Sequence, residues 1–231
     1  MKVEIWSDVV CPWCHVGKRR FESALAGFEH RDDVEVVWRS FELDPAAPRL
    51  HEGEPVARLA AKYGMDLDEA RASYRHMTEV AGEEGLEFRL EATRSGNTFD
   101  AHRLLHLAAE TGDQDKLKER LLTAYLTEGE AIGESSTLER LAVEAGLDPS
   151  RVTAVLSTTA YGDEVRADEA QATALGIDGV PFFVFDRKHG VSGARPAETL
   201  LDMLVRAWSE DRPLTVVEGS GGACDGESCA V

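Results

Sequence analysis

Two cysteines three residues apart, Cys11 and Cys14 in the run Cys11-Pro12-Trp13-Cys14, bring two sulfurs to where a disulfide forms and breaks with little backbone movement. That is the chemistry of a redox-active dithiol. Disulfides are attacked by thiolates, and a sulfur at a helix N-terminus is stabilised as the anion by the unpaired N–H groups of the first turn and by the helix dipole. The spacing therefore predicts Cys11 as the nucleophile, with a pKa below that of an ordinary cysteine. Cys14, one turn on and facing the core, is expected to have the higher pKa and to act as the resolving thiol that attacks the mixed disulfide. Pro12 and Trp13, between the two, are expected to touch the substrate. Half of a zinc site is the other use of this spacing. Zinc needs two more ligands, and the remaining cysteines, Cys224 and Cys229, lie at the far end of the chain, so no metal is expected.

Val3-Glu4-Ile5-Trp6-Ser7 alternates apolar and polar residues as a strand does, and Asp8-Val9-Val10 carries the chain off its end. Cys11 then falls at the N-cap of a helix and Pro12 at its first position, where a missing N–H costs nothing. Cys14, Gly17, Phe21, Leu25 and Phe28 recur at helical steps and predict the buried face, while Lys18, Arg19, Glu22 and Ser23 fill the other side. A second strand over Val34–Phe41, ending at Leu43-Asp44-Pro45, completes a strand–helix–strand unit with parallel strands. From about Glu54 to Leu175 the period is helical. Asn97 is predicted as a helix cap, Ser136-Thr137-Leu138-Glu139 as a capping box, and Asp148-Pro149 as the opening of a short helix. Beyond Gly176, Pro181 leads into Phe182-Phe183-Val184-Phe185, paired through a turn with Val191-Ser192, and Pro196 starts a last helix that turns Leu200, Leu201, Leu204, Ala207 and Trp208 inward.

With 43 acidic against 25 basic residues among 231, the formal charge of -18 disfavours nucleic acid and anionic membranes as partners. No apolar run approaches the length of a membrane span, and a cleaved leader would remove or abut the cysteine pair. The expected location is the cytoplasm, where a Cys-X-X-Cys beside a strand–helix unit is a working redox motif and not a structural staple.

Four stretches in this order, Ser7-Asp8-Val9-Val10-Cys11-Pro12-Trp13-Cys14, Phe41-Glu42-Leu43-Asp44-Pro45, Ala101-His102-Arg103-Leu104 and Gly179-Val180-Pro181-Phe182-Phe183-Val184, resemble the FrnE-type oxidoreductases. These belong to the DsbA-like branch of the thioredoxin superfamily and are relatives of 2-hydroxychromene-2-carboxylate isomerase. The resemblance spans roughly residues 3 to 209. It implies an α/β fold, a thioredoxin-like core made of residues 1–45 and 176–212 with a large all-helical insertion over 46–175 that covers the active site. It also implies that Pro181 is the cis-proline facing the dithiol, with the backbone of Val180 offered to an extended substrate beside Cys11. Through the isomerase-like relatives, Asn97 and His102 are implied as pocket residues. No cofactor is implied beyond the redox-active disulfide, with glutathione as an optional co-substrate.

Other residues weigh less. His15 and Lys18 are placed to support the Cys11 thiolate, but a solvated helix face is the blander expectation for both. His102 and His106 have the four-residue spacing of metal ligands on a helix; without a third ligand, a hydrogen bond between helices is the expected role. Phe41, Trp13 and Trp38 are candidates for an apolar floor near the dithiol. Two functions stand: a thiol-disulfide oxidoreductase or isomerase acting on protein disulfides, and a glutathione-dependent isomerase or transferase of small molecules. Two cysteines favour the first, since relatives of the second kind usually carry serine at the first position. A binding module or holdase would need no dithiol at a helix N-terminus. The expected partners are thiol or disulfide proteins, or glutathione, for a monomer or homodimer.

Residues 213–231 form a Gly/Ser-rich tail that carries Cys224-Asp225-Gly226-Glu227-Ser228-Cys229. A four-residue spacer with a glycine lets the two sulfurs meet, and the linker reaches a wide volume. Cys224 and Cys229 are therefore expected to act as an auxiliary dithiol that exchanges with Cys11 and Cys14; the alternative is a tail whose thiols oxidise without a role. In the Cys14→Ala background the full chain should form a Cys11-to-tail crosslink, and a chain ending at Arg212 should be regenerated more slowly by reductant. Equal regeneration and no crosslink on a non-reducing gel would remove the tail from the cycle.

Overall fold

The run after Met1 forms strand β1 (Lys2–Ser7) in a computed structural model that describes residues 1–210. The expected tail, with Cys224 and Cys229, lies outside the described residues. Strand β2 (Glu35–Ser40) pairs parallel to β1, from Lys2 opposite Glu35 to Ser7 opposite Ser40. Strand β3 (Phe182–Phe185) returns antiparallel on the other side of β1, and β4 (His189–Ser192) pairs with β3 in a hairpin, so the sheet order is β2-β1-β3-β4.

Helix α1 (Pro12–Ala26) crosses from β1 to β2. Cys11 is its N-cap, with an extended backbone, and Pro12 opens the first turn as its fixed φ favours. Together with α9 (Ala197–Glu210) it covers one face of the sheet, where Val3, Ile5, Phe21, Phe28, Trp38, Phe183, Phe185, Leu200 and Leu204 form a buried cluster. Phe183 is fully buried between α1 and the sheet, and its ring lies 5.6 Å from that of Phe21. Such a side chain contributes about 2 to 3 kcal/mol by leaving water. The opposite face packs Trp6, Ile177 and Val184 against Ala172 of α8 (Gly162–Ala174). Both faces of β1 are therefore dry. Glu4, which its alternating pattern turns outward from the α1 side, is buried too and paired with Arg39 and, at 2.8 Å, Arg187.

Between β2 and β3 lie α2 (Pro55–Tyr63), α3 (Leu67–Glu83), α4 (Phe99–Ala109), α5 (Gln114–Leu126), α6 (Ser135–Glu144), α7 (Pro149–Ser157) and α8, with no strand among them. Their common core joins Leu104, Leu117, Leu121, Leu138, Leu141 and Val152 to Val9 and Val16, so the cysteine-bearing segment is packed into the helical insertion as well as onto the sheet.

The predicted caps fared unevenly. Asp148 accepts from Ser150 N and Arg151 N and caps α7 as expected. The box expected at Ser136–Glu139 is absent: α6 begins two residues earlier with Glu134 at its N-cap and no side-chain capping bond, which puts Ser136 inside the first turn, while Arg49 from a distant loop donates to Ser135 Oγ. The capping box that does form is Asp66–Glu69 on α3, where each side chain accepts from the other's backbone N–H. Asn97 acts one position early: Thr98 is the N-cap of α4, and Asn97 Oδ1 accepts from Phe99 N at 2.9 Å.

Strand β2 is an edge of the sheet, and its unpaired backbone is closed by side chains from the insertion. Gln114 accepts from Trp38 N and donates to Trp38 O, both at 3.0 Å, as a neighbouring strand would, and Asp168 accepts from Ser40 N at 2.9 Å. Gln114→Met keeps the side-chain length and strands the two buried backbone groups. Each costs about 1 to 3 kcal/mol, so the thermal midpoint should fall by roughly 10 °C in a circular-dichroism melt.

Candidate active site

The two thiols sit where β1 ends and α1 begins, and both are buried, Cys11 at 5% exposure and Cys14 at 1%. Cys11 is the more accessible of the two. Its Sγ donates to the carbonyl of Val180 at 3.7 Å, across from the cis Val180-Pro181 bond, as the resemblance implied. Gly17 makes that proximity feasible: a Cβ there would stand 2.9 Å from Pro181 Cγ, closer than packed carbons come. Trp13 is 41% exposed beside the pair, and Pro12 is half-buried.

The two thiols titrate as one coupled pair. Cys14 is held below the ordinary thiol value: burial pushes it up, but the hydrogen bond from Cys11, the ammonium of Lys118, and the nearby hydroxyl of Ser7 outweigh that penalty. Cys11 is pushed well above it by its hydrogen bond to Cys14, by burial and by the charge on Cys14. Two sulfurs this close cannot both be anions, so the first proton leaves the pair readily and the second with difficulty. The monoanion belongs to the pair, with the remaining proton held between the two sulfurs.

Behind the pair lies a set of buried polar groups. Asp8 Oδ1 accepts from Val9 N at 2.7 Å and from His102 Nε2 at 3.2 Å, and Asp8 Oδ2 accepts from Leu43 N at 2.8 Å. Burial raises the Asp8 carboxyl, but the hydrogen bonds from His102 and Leu43 N and the Lys118 ammonium bring it below the usual range. Burial likewise lowers His102 and wins over Asp8, so the ring is neutral and donates Nε2–H. Lys118 of α5 is fully buried; it donates to Ser7 O at 3.1 Å and lies over the Trp38 ring at 5.5 Å. Burial pushes its pKa down to about 8. Glu42 is buried next to them. It pairs with Arg166 and accepts from Asn97 Nδ2 at 3.4 Å, and burial raises it to about 7.

Several expectations are corrected here. His15 and Lys18 are not on a solvated face: they are 1% and 2% exposed, because α5 and the Phe88 segment cover that side of α1. His15 Nε2 meets Glu119 at 3.3 Å and its ring stacks on Phe88, while Lys18 pairs with Glu22, with Asp115 at 3.2 Å and with Glu119 at 3.1 Å. Phe41, Trp13 and Trp38 do not make one floor. Phe41 packs with Trp6, Val180 and Phe182 on one face of the sheet, Trp38 is in the core on the other, and Trp13 points outward. His102 and His106 make hydrogen bonds across the fold, to Asp8 and to Ser40 with Asp168, and among the described residues no group of three or more His, Cys, Asp or Glu side chains is arranged to hold a metal.

Asp8, Lys118 and Glu42 were assigned no role from the sequence. For Lys118 a signal existed: with Gln114, Leu117, Leu121, Leu122 and Tyr125 it falls on the one stripe of α5 that is apolar enough to be buried.

A family model, the DSBA-like thioredoxin domain, matches residues 2–205. The chain belongs to this family. A crystal structure of a probable DsbA oxidoreductase from Streptomyces coelicolor superposes with a TM-score of 0.88 at 48% identity, covering 100% of this chain and 99% of that one. The uncharacterised protein YwbO of Bacillus subtilis is 33% identical over 180 residues, 75% of this chain and 83% of YwbO. The structure of a 2-hydroxychromene-2-carboxylate isomerase shares the fold, with a TM-score of 0.64 at 16% identity over 91% of this chain and 95% of that one. This chain thus has the DsbA-like fold, with a four-stranded mixed sheet and a helical insertion, and carries a Cys-X-X-Cys pair at Cys11 and Cys14. Among the described residues no helix is long and apolar enough to cross a membrane.

Glu42 sets a pH dependence for this DsbA-like domain. Its folded pKa of about 7 lies above the ordinary 4.5, so the unfolded chain releases this proton first as pH rises. Its contribution to stability is fully present below pH 4.5 and is lost as pH climbs through 7. Glu42→Gln should therefore raise the melting temperature by a few degrees at pH 8 relative to the parent chain, and the gain should vanish at pH 4.5.

Proposed function

We propose that this chain exchanges thiols and disulfides with protein substrates through Cys11 and Cys14. One observation carries the reading: at the N-terminus of α1 the more accessible sulfur, Cys11, faces the Val180 carbonyl, where an extended peptide can lie, and a second thiol stands behind it. In the reducing direction the pair's first proton has already left. The charge passes to Cys11, whose sulfur attacks one sulfur of a substrate disulfide; the substrate S–S bond breaks and the leaving thiolate takes a proton from water. Cys14, releasing the proton it holds once the charge is on Cys11, then attacks Cys11 Sγ, the mixed disulfide breaks, and the second substrate thiolate takes up a proton as it leaves. The substrate gains two electrons and the protein holds a Cys11–Cys14 disulfide. The reverse sequence oxidises a substrate dithiol.

The ready loss of the pair's first proton supports this cycle, since a dithiol that ionises early is an able nucleophile and a stable reduced product. Trp13, Pro12, Val180 and Pro181 border Cys11 and serve as the contact surface for the extended segment; Phe41 backs Val180 from below. Asn97 and His102 bond to Glu42 and Asp8 behind the pair and act through them. The reading places the reaction in the cytoplasm, with thiol proteins or glutathione returning the pair to its starting state, and needs no metal, nucleic acid or membrane.

Insulin reduction and the refolding of a scrambled disulfide protein should both fall to the uncatalysed background in Cys11→Ser. Cys14→Ala should instead accumulate a mixed disulfide with substrate through Cys11, seen as a band shift that dithiothreitol removes. A trap that forms through Cys14 reverses the roles. A protein that isomerises an aromatic carboxylate with glutathione, yet never exchanges with a protein disulfide, belongs to the small-molecule alternative.

A further inference from the structure

Lys118 is a complete ammonium group inside the protein, and neither the family resemblance nor the exchange cycle gives it a task. It comes from α5, in the helical insertion, and reaches the carboxyl end of β1 beneath the dithiol. An ammonium has three N–H donors. Among the described residues Lys118 makes one hydrogen bond, to Ser7 O at 3.1 Å, and one contact with the face of Trp38. Burying a charge so incompletely bonded is costly unless an opposite charge lies close by.

The charged and titratable groups that face it come from every element around it. Cys14, Cys11 and Lys18 lie on α1, Asp8 follows β1, and His102 lies on α4 beyond Asp8. Asp8 is already engaged by Val9 N, Leu43 N and His102, and His102 is neutral. Lys18 is a like charge and is matched by Glu22, Asp115 and Glu119. The remaining anion is the one the dithiol makes. Cys14 has the corresponding need, for it is 1% exposed and water cannot solvate its thiolate.

We propose that Lys118 is a positioning residue, the counter-ion that keeps Cys14 anionic in the mixed-disulfide stage so that it can attack Cys11 Sγ. The proposal rests on the exchange reading above. Cys14 first releases to solvent the proton left on it when the charge passed to Cys11; its lone pair then forms the Cys14–Cys11 bond, the Cys11–substrate S–S bond breaks, and the electron pair leaves on the substrate thiolate. Closing the disulfide removes the anion and leaves Lys118 with Asp8 alone, so the lysine's proton affinity and the redox state of the pair are linked, each shifting the other by the same factor.

Two substitutions separate charge from structure. Lys118→Gln keeps a donor for Ser7 O without the charge, and Lys118→Met keeps neither. The probe is a symmetrical aromatic disulfide whose thiol product is coloured: one equivalent is released when Cys11 attacks and a second when Cys14 resolves. A nearby opposite charge shifts a thiol by one unit or more, so both variants should show the second release slowed about tenfold near pH 7, with its pH midpoint moved upward. The same loss should shift the equilibrium with glutathione about tenfold toward the disulfide, because the reduced form loses its counter-ion. A Gln variant that resolves at the parent rate, with an unmoved pH profile, overturns the proposal and leaves Lys118 as a prop for Ser7. Absence of the first release in the parent protein overturns the exchange reading instead. If the variants do not fold, the lysine side-chain carbon resonances of the parent decide the matter. The Lys118 titration should drop by about one unit on oxidation, and a midpoint that ignores the redox state overturns the proposal.

Discussion

Asp8 is a carboxylate sealed inside the protein, and its two oxygens tie together three stretches that are distant in the chain: the turn before the dithiol through Val9 N, the exit from β2 through Leu43 N, and α4 of the insertion through His102. A buried anion with fewer partners would neutralise or open the structure to water. Satisfying it aims the chain so that Cys11 arrives at the head of α1 and holds the segment of residues 41–45 against the site. It also docks the helical insertion. The position of the sulfurs thus follows from the hydrogen bonding of one side chain at the end of the central strand.

The insertion does more than roof the dithiol. It encloses α1, so that His15 and Lys18, polar residues on a helix that a bare sheet would leave half wet, become interior groups. Enclosure lowers the local dielectric, which strengthens each ion pair and raises the cost of each unmatched charge. The same helices supply the matches. Glu119 of α5 meets His15, Lys18 and Arg19; Lys118 faces the thiols; Gln114 and Asp168 close the open edge of β2. Glu119 is held far below the usual carboxylate range, against its burial, by His15 and Arg19. Sheet and insertion therefore form one electrostatic unit around the cysteine pair.

Within that unit the two sulfurs share a single readily lost proton. The helix N-terminus favours charge on Cys11, as does any helix end. Lys118 and the internal hydrogen bond favour it on Cys14, so the two pulls meet within the pair. Reactivity at Cys11 is then a matter of access and of the short step that moves the charge from one sulfur to the other. Gly17 keeps that step open to a substrate, since a larger residue would displace Pro181 and with it the Val180 carbonyl.

Much of this was written in the chain. Local rules were enough for β1, for α1 with Cys11 capping and Pro12 opening it, for β2 parallel to β1, for the β3–β4 hairpin, and for α7 behind Asp148, because each depends on near neighbours and on a period of two or 3.6. The Cys-X-X-Cys spacing named the chemistry for the same reason. What tertiary structure alone decided was where charges are buried. Lys18 carries the mark of a wet helix face until α5 lies over it, Ser136 that of a helix cap although α6 has already begun at Ser135, and Lys118 lies on the buried stripe of α5 in sequence but meets the dithiol only in the fold. A pKa depends on every charge and dipole within several ångströms, and the ammonium that acts on this dithiol, Lys118, lies about a hundred residues away in sequence. The order in which Cys11 and Cys14 give up their protons therefore belongs to the folded molecule and to no segment of it.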